Sequence, residues 1–253
     1  MPIFRINDKL HYFAHVPKCG GTSVEAYLSD RFGRLGFHEP GRHLIAVDQR
    51  WGKGSAEHIP VACLDRIIPS DWLATSFAVV RHPVRRLISA FCFARDVRQR
   101  FPLSTDINTW FQEASSWIGK DPFQHSAHFA PQSILVPNGT RIFRLEDGLD
   151  QIVPYLDALA GNTDGPREIL AKNVGKWRAD AAPPNLTQNT LGLIAEVYAV
   201  DFARFGYDAP VSIEAAKILP DLPSLTATGK PPVPSRRPFL QRLYRGLQKK
   251  MEQ

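Results

Sequence analysis

An apolar run, Phe13 to Val16, breaks into Pro17-Lys18-Cys19-Gly20-Gly21 and passes through Thr22-Ser23 into a helix-like segment. A strand, a tight loop and a helix start packed into FAHVPKCGGTS leave few architectures open, because that succession is an anion cradle in sequence form. Two adjacent glycines let the backbone turn sharply and bring its N–H groups close to a ligand, and the helix start points its positive dipole end at the same place. Lys18 adds a full charge, while Thr22 and Ser23 add hydroxyl donors, so a phosphate or sulfate group is the natural guest. A Walker A loop sets its Lys after the second Gly and directly before Ser or Thr; Lys18 precedes both glycines, which disfavours a nucleotide triphosphatase. The purely structural reading of the same residues is a strand-to-helix turn whose glycines serve geometry alone.

A second stretch has the same form. Phe77-Ala78-Val79-Val80 reads as a short buried strand and runs into Arg81-His82-Pro83-Val84-Arg85-Arg86-Leu87-Ile88-Ser89. Pro83 suits the first turn of a helix, which sets Arg81 at the carboxyl end of the strand and Ser89 about two turns into the helix. In open parallel α/β sheets, ligands bind outside the carboxyl ends of strands, where both motifs lie. Two anion sites on one crevice imply a ligand with two separated anionic groups.

The pair PKxGGTS and RxPxxRxxS, some sixty residues apart, resembles the 5′-phosphosulfate loop and the 3′-phosphate element of sulfotransferases that use 3′-phosphoadenosine 5′-phosphosulfate (PAPS). The form HVPKCGGTS is most similar to the Golgi-type and bacterial carbohydrate sulfotransferases, the heparan 2-O-sulfotransferases among them. This resemblance implies that Lys18, Gly20, Gly21, Thr22 and Ser23, with Cys19 in the same loop, hold the 5′-phosphosulfate, and that Arg81 and Ser89 hold the 3′-phosphate. Arg86 matches the pattern as well, with packing or ion pairing as its other reading. His82 departs from it, standing where Asn or Asp is frequent in the family. Thr140 to Asp147, TRIFRLED, resembles the family's later strand with its acidic pair, and Tyr198 to Tyr207, YAVDFARFGY, its closing helix and turn. The likeness covers roughly residues 10–208. It implies a three-layer, P-loop-like α/β fold in which a central parallel sheet is flanked by helices. It also implies a hydroxyl-bearing acceptor, a carbohydrate or glycolipid, and no need for a metal.

The 253 residues, 43% hydrophobic and 22% charged, are ample for one sizeable core. The expected division is a domain over residues 1–210 and a Pro-rich linker with a basic tail over 211–253. No run approaches roughly 18 uninterrupted apolar residues, and MPIFRINDKLHYF lacks the long apolar segment of a signal peptide. Cys19, Cys63 and Cys92 are few and unclustered, which supports neither a disulfide framework nor a metal site, so a reducing cytoplasm is the expected location. Of the net charge of +6, the segment from Arg236 onward carries +5, leaving +1 for the rest, so the body has no nucleic-acid footprint. In that tail Phe239-Leu240, Leu243-Tyr244, Leu247 and Met251 recur at helical spacing opposite the basic residues. Two readings fit: a helix lying on an anionic membrane surface, or one that docks on the domain or a partner.

Strands are expected near residues 11–16, 76–80 and 140–145, and helices near 22–31, 84–99 and 187–204, an alternation that gives a parallel sheet with helices on its faces. Residues 33–57 are too irregular to assign and have the place of an insert that shapes an acceptor cleft. Over 107–118 apolar residues recur at helical spacing, which reads Trp110, Phe111 and Trp117 as core.

Sulfuryl transfer to a hydroxyl needs a base, and His is the usual one near neutral pH. Of the eight histidines, His58 is the leading candidate: it stands 23 residues before Arg81, similar to the family's catalytic His, in a loop that opens a helix. Its structural reading is a helix-capping or surface side chain. His128 is the second candidate, since HSAHFAPQS resembles a family element that sets His128 and Gln132 on the acceptor side. Glu57 is a third possible base or an orienter of His58. His38 and His43 lie in the irregular insert on the acceptor side, His15 reads as structural and His11 as an edge residue. Two other function classes remain open, a kinase-like phosphoryl transferase and a nucleotide-binding protein without turnover that docks through its basic tail.

Overall fold

Apolar runs too short for helices become the sheet. In the computed structural model, which describes residues 2–50, 52, 55–118, 120–121, 123–172, 184–210 and 212–213, β1 (Ile3–Ile6) and β2 (Lys9–Ala14) form a hairpin whose turn residues Asn7 and Asp8 have φ of 49° and 63°. Those left-handed angles suit a two-residue hairpin turn and the Asn/Asp preference for it. β3 (Leu73–Val80) and β4 (Arg141–Arg144) follow in the order β1-β2-β3-β4. β2, β3 and β4 are parallel, with Phe13 opposite Phe77, Ala14 opposite Ala78 and Val80 opposite Arg144, and β1 is antiparallel to β2. The parallel α/β sheet is therefore as the sequence implied, with one antiparallel strand added at its edge. That strand also corrects the reading of His11, which is an interior residue, 4% exposed and bonded through Nδ1 to Thr75 Oγ1 at 2.8 Å.

Helices flank the sheet. α1 (Gly21–Phe32) follows β2 and α2 (Val61–Ile67) precedes β3; α3 (Pro83–Cys92) and α4 (Ile107–Ala114) lie between β3 and β4; α5 (Ile152–Ala160), α6 (Gln188–Val197) and α7 (Ala199–Phe205) follow β4. Two expected helices are interrupted. The 84–99 segment leaves α-geometry at Phe93–Val97, a π-turn, and the 187–204 segment breaks at Tyr198, whose φ of −107° and ψ of 22° lie outside the helix and whose hydroxyl donates to Phe129 O at 2.7 Å. The insert 33–57 holds 3₁₀ turns at Arg42–Leu44 and Val47–Gln49. Residues of the proposed tail lie outside the described residues, as does the side chain of His43.

Phe4, Phe13, Phe77 and Phe143 fill the sheet core, with Phe13 and Phe77 stacked at 4.9 Å. A second apolar cluster joins α3, α4 and α6 through Leu87, Phe91, Phe111 and Ile194; Trp110 and Trp117 pack against it, a core role matching their helical spacing. Because β2, β3 and β4 run the same way in this register, the segments after Ala14, Val80 and Arg144 all leave the sheet at one edge.

Candidate active site

The cradle stands at that edge. Lys18 (φ 69°) and Gly20 (φ 79°) are both left-handed, which folds the loop back before α1 begins at Gly21. Gly20 is glycine for this reason, and Gly21 for another: a Cβ there would fall 1.9 Å from His15 Nε2. The first N–H groups of a helix have no intrahelical acceptor, and the first turn of α1 has no acidic residue to compete for them. Thr22 is exposed at that turn, whereas Ser23 is buried and its Oγ accepts from the Lys172 N–H at 2.8 Å. Cys19 is fully buried, and burial pushes its thiol up to about 12, so it is a packed side chain and not a reactive one.

Gln132 joins the two anion motifs. Its Oε1 accepts from the Arg81 N–H at 3.0 Å and from the Cys19 thiol at 3.4 Å, and its Nε2 donates to Arg81 O at 2.8 Å. With 0% exposure its side chain is spent inside the edge, where it splices the cradle to the Arg81 turn. The Arg81 guanidinium donates to Lys18 O at 3.4 Å, which brings the basic residues of both motifs together. Burial, then the adjoining Arg81 charge, lowers Lys18 to about 8, and its Nζ stands 4.0 Å from the Phe93 ring centroid. Burial likewise lowers Arg81 below its ordinary value. Ser89 lies farther along α3, 5% exposed. Arg86, 1% exposed, donates to His128 O at 3.1 Å and to Ala130 O, so it braces the chain that carries His128.

That chain is strained. His125, Ser126 and Ala127 have φ of 50°, 56° and 61°, a left-handed run costing roughly 1–2 kcal/mol per non-glycine residue. It presents the His128, Phe129 and Ala130 carbonyls to Arg86 and Tyr198. The His128 ring stacks on Phe93 at 5.3 Å and faces His58 at 5.6 Å, and His58 stands edge-on to His15 at 4.5 Å. Lys18, Phe93, His128, His58 and His15 thus form one row along the cradle. Burial, then His15 and His128, holds His58 well below its ordinary value; burial, then Lys18 and Arg98, does the same to His128. Both imidazoles are therefore neutral at pH 7 and able to accept a proton. His58 Nδ1 lies 3.3 Å from His15 O.

Two residues of this network, Asp201 and Glu25, carried no signal of their own in the sequence, whereas Glu146 belongs to the acidic pair and Glu57 is a candidate beside His58. Asp201, 0% exposed on α7, accepts from the Gln132 and Ser133 N–H groups at 2.7 and 2.8 Å. Glu146 accepts from the His82 N–H at 2.7 Å and the Tyr207 hydroxyl at 2.9 Å, which ties the closing turn to the Arg81 strand end. Glu25 meets His15 Nδ1 at 2.6 Å. A carboxylate oxygen of Glu57 lies within 4.8 Å of donor atoms of His15 and Glu25. These three could offer ligands to a cation, but the His15–Glu25 spacing is that of a shared proton.

A family model described as "Sulfotransferase family" matches residues 3–208. No curated protein and no solved structure matches the chain.

Proposed function

The chain belongs to the sulfotransferase family, and on that premise we propose that it transfers the sulfuryl group of PAPS to a hydroxyl of a carbohydrate acceptor. The acceptor oxygen bonds to sulfur as the bond from sulfur to the bridging phosphate oxygen breaks, and 3′-phosphoadenosine 5′-phosphate (PAP) leaves. The hydroxyl proton goes to His58, with His128 beside it as the second candidate. Lys18, the N–H groups of Gly20, Gly21 and Thr22 and the hydroxyls of Thr22 and Ser23 meet the 5′-phosphosulfate, where the lysine neutralises charge growing on the leaving oxygens. Arg81 and Ser89 take the 3′-phosphate.

The observation that carries this reading is the meeting of the two basic motifs at one sheet edge, where the Arg81 guanidinium reaches the Lys18 carbonyl at 3.4 Å. Burial weakens both cations there, with the Arg81 charge adding to the fall at Lys18 and the Arg85 charge to that at Arg81, and a bound anion would relieve both. Calorimetric titration with PAP tests it, with ATP plus magnesium as comparator and Arg81→Ala as control. Tight PAP binding that the substitution weakens is the expected result. Preference for ATP would favour the kinase-like reading, and PAP binding without sulfate release from PAPS would leave a nucleotide-binding protein.

A further inference from the structure

Glu25 has no part in the reaction just described, although burying a carboxylate is costly unless it is paired. It lies one turn after Gly21 on the same face of α1, below the cradle, and is 4% exposed. Its oxygens face His15 Nδ1 at 2.6 Å and His38 Nε2 at 3.7 Å. Burial pushes its carboxyl up, but the two imidazoles together pull it below the ordinary value. An ionised carboxylate only accepts hydrogen bonds, so the proton between the pair sits on His15 Nδ1.

The rest of the His15 ring is also held. Its Nε2 edge rests against Gly21, and the ring packs at right angles to that of His58, with ring centroids 4.5 Å apart and planes at 89°. His58 in turn approaches the His15 carbonyl oxygen through Nδ1 at 3.3 Å. A carbonyl accepts and cannot donate, so His58 carries its proton on Nδ1 and its lone pair on Nε2, the state a base requires.

We propose that Glu25 is a positioning residue of the transfer: by fixing the His15 imidazole it holds the His58 ring, whose tautomer the His15 carbonyl sets, in the orientation that takes up the acceptor's proton. The proposal rests on the sulfuryl-transfer reading. Glu25 links α1, which carries the cradle, to the insert that carries His38 and, through His15, to the turn that carries His58. When His58 Nε2 takes the hydroxyl proton and the oxygen bonds to sulfur, an imidazolium forms beside His15 and His128. The groups facing it are His15 from the end of β2 and His128 from the strained segment, with Glu25 behind His15 and Glu57 on the adjoining turn. The carboxylates in this set are Glu25 and Glu57, so Glu25 also offsets the new positive charge.

Glu25→Gln keeps the shape and an oxygen for His15 but removes the charge. The ring nitrogens of ¹⁵N-histidine-labelled protein, assigned with His58→Asn, report tautomers directly. In the wild type, His15 and His58 are both expected with the proton on Nδ1; either one with it on Nε2 overturns the proposal, whether or not the variant folds. In E25Q, His58 is expected to keep its proton on Nδ1 but to show displaced ring-nitrogen shifts and a displaced titration. PAP affinity should stay within about twofold, while release of sulfate from PAPS with water as acceptor falls roughly tenfold or more, a part of the 10²–10⁴ that a general base contributes. An unchanged His58 spectrum and pH–rate profile would overturn the proposal. So would joint loss of PAP binding and melting temperature, which marks a purely structural residue. Turnover abolished by EDTA and restored by Mn²⁺ in the wild type but not in E25Q would make Glu25 a metal ligand and overturn it too. If the wild type binds no PAP, the sulfuryl-transfer reading fails by itself, and the tautomers still decide the geometry.

Discussion

Lys18 is drawn out of water against the Phe93 ring, and burial, then the Arg81 guanidinium, brings it to about 8. Its role in transfer needs the ammonium form, so kcat/KM for PAPS should fall as the pH rises through about 8. The sign follows from deprotonation: above that pH the free enzyme loses the cation that meets the leaving group. A bound polyanion favours the ammonium, so the corresponding fall in kcat should lie at higher pH. The side chains of the two motifs should also separate by kind of loss. Lys18→Ala removes charge stabilisation that grows in the transition state and should cost roughly 10²–10³ in kcat, with PAP affinity changed only a few-fold. Arg81→Ala should mainly weaken PAP binding. Steady-state rates beside PAP calorimetry test the pair, and equal, small effects from both would contradict the assignment.

At the scale of elements, the site depends on one buried amide that connects a loop, a strand end and a helix. Gln132 is held from behind by Asp201 on α7 and holds Arg81 and Cys19 in front. Gln132→Ala strips the Arg81 N–H and C=O of their partners, a loss of about 2–4 kcal/mol if both groups remain unsatisfied. It should also weaken PAP binding, because the turn that aims Arg81 loosens. Ser133→Ala is the control, since Ser133 meets Asp201 through its backbone N–H. Urea unfolding and PAP titration of both variants give the result, and a Q132A protein as stable as S133A would remove Gln132 from this role. How much of this was legible in the sequence follows the range of the interactions. β2, β3, α1 and α3 were readable because apolar runs end at Pro and Gly punctuation, and the cradle because its parts are neighbours in sequence. β1 escaped because it is four residues long with Arg5 turned outward. The break at Tyr198 escaped because no Pro or Gly marks it; a bond to Phe129, far away in sequence, accompanies it. Gln132 was readable as a site residue but not as a splice, and Glu25 and Asp201 not at all, since their partners lie on other elements.

For the whole molecule, gathering neutral histidines in and around one site has a consequence for stability. His11, His58, His82, His125 and His128 all have pKa values below the ordinary 6.5, with burial the first cause in each. Below about 6.5 the unfolded chain protonates these rings while the folded protein resists, so the unfolded state binds more protons and stability falls with falling pH. Each ring that stays neutral in the fold contributes up to about 1.4 kcal/mol per pH unit inside that window. Glu25, Asp106 and Asp157 have lowered pKa values, and their contribution is present above their ordinary values, 4.5 for Glu and 3.8 for Asp, and is lost below them. The interval from about 6.5 down to 4.5 therefore belongs to the histidines. Denaturant midpoints measured across it should fall steadily, and His58→Gln or His128→Gln should each make the fall shallower by about one ring's share, whatever the substitution does to stability at pH 7. The double variant should be shallower again, because it removes the share of both rings. If both single variants keep the wild-type slope, the two imidazoles bind protons alike in the folded and the unfolded chain, and burial does not hold them neutral.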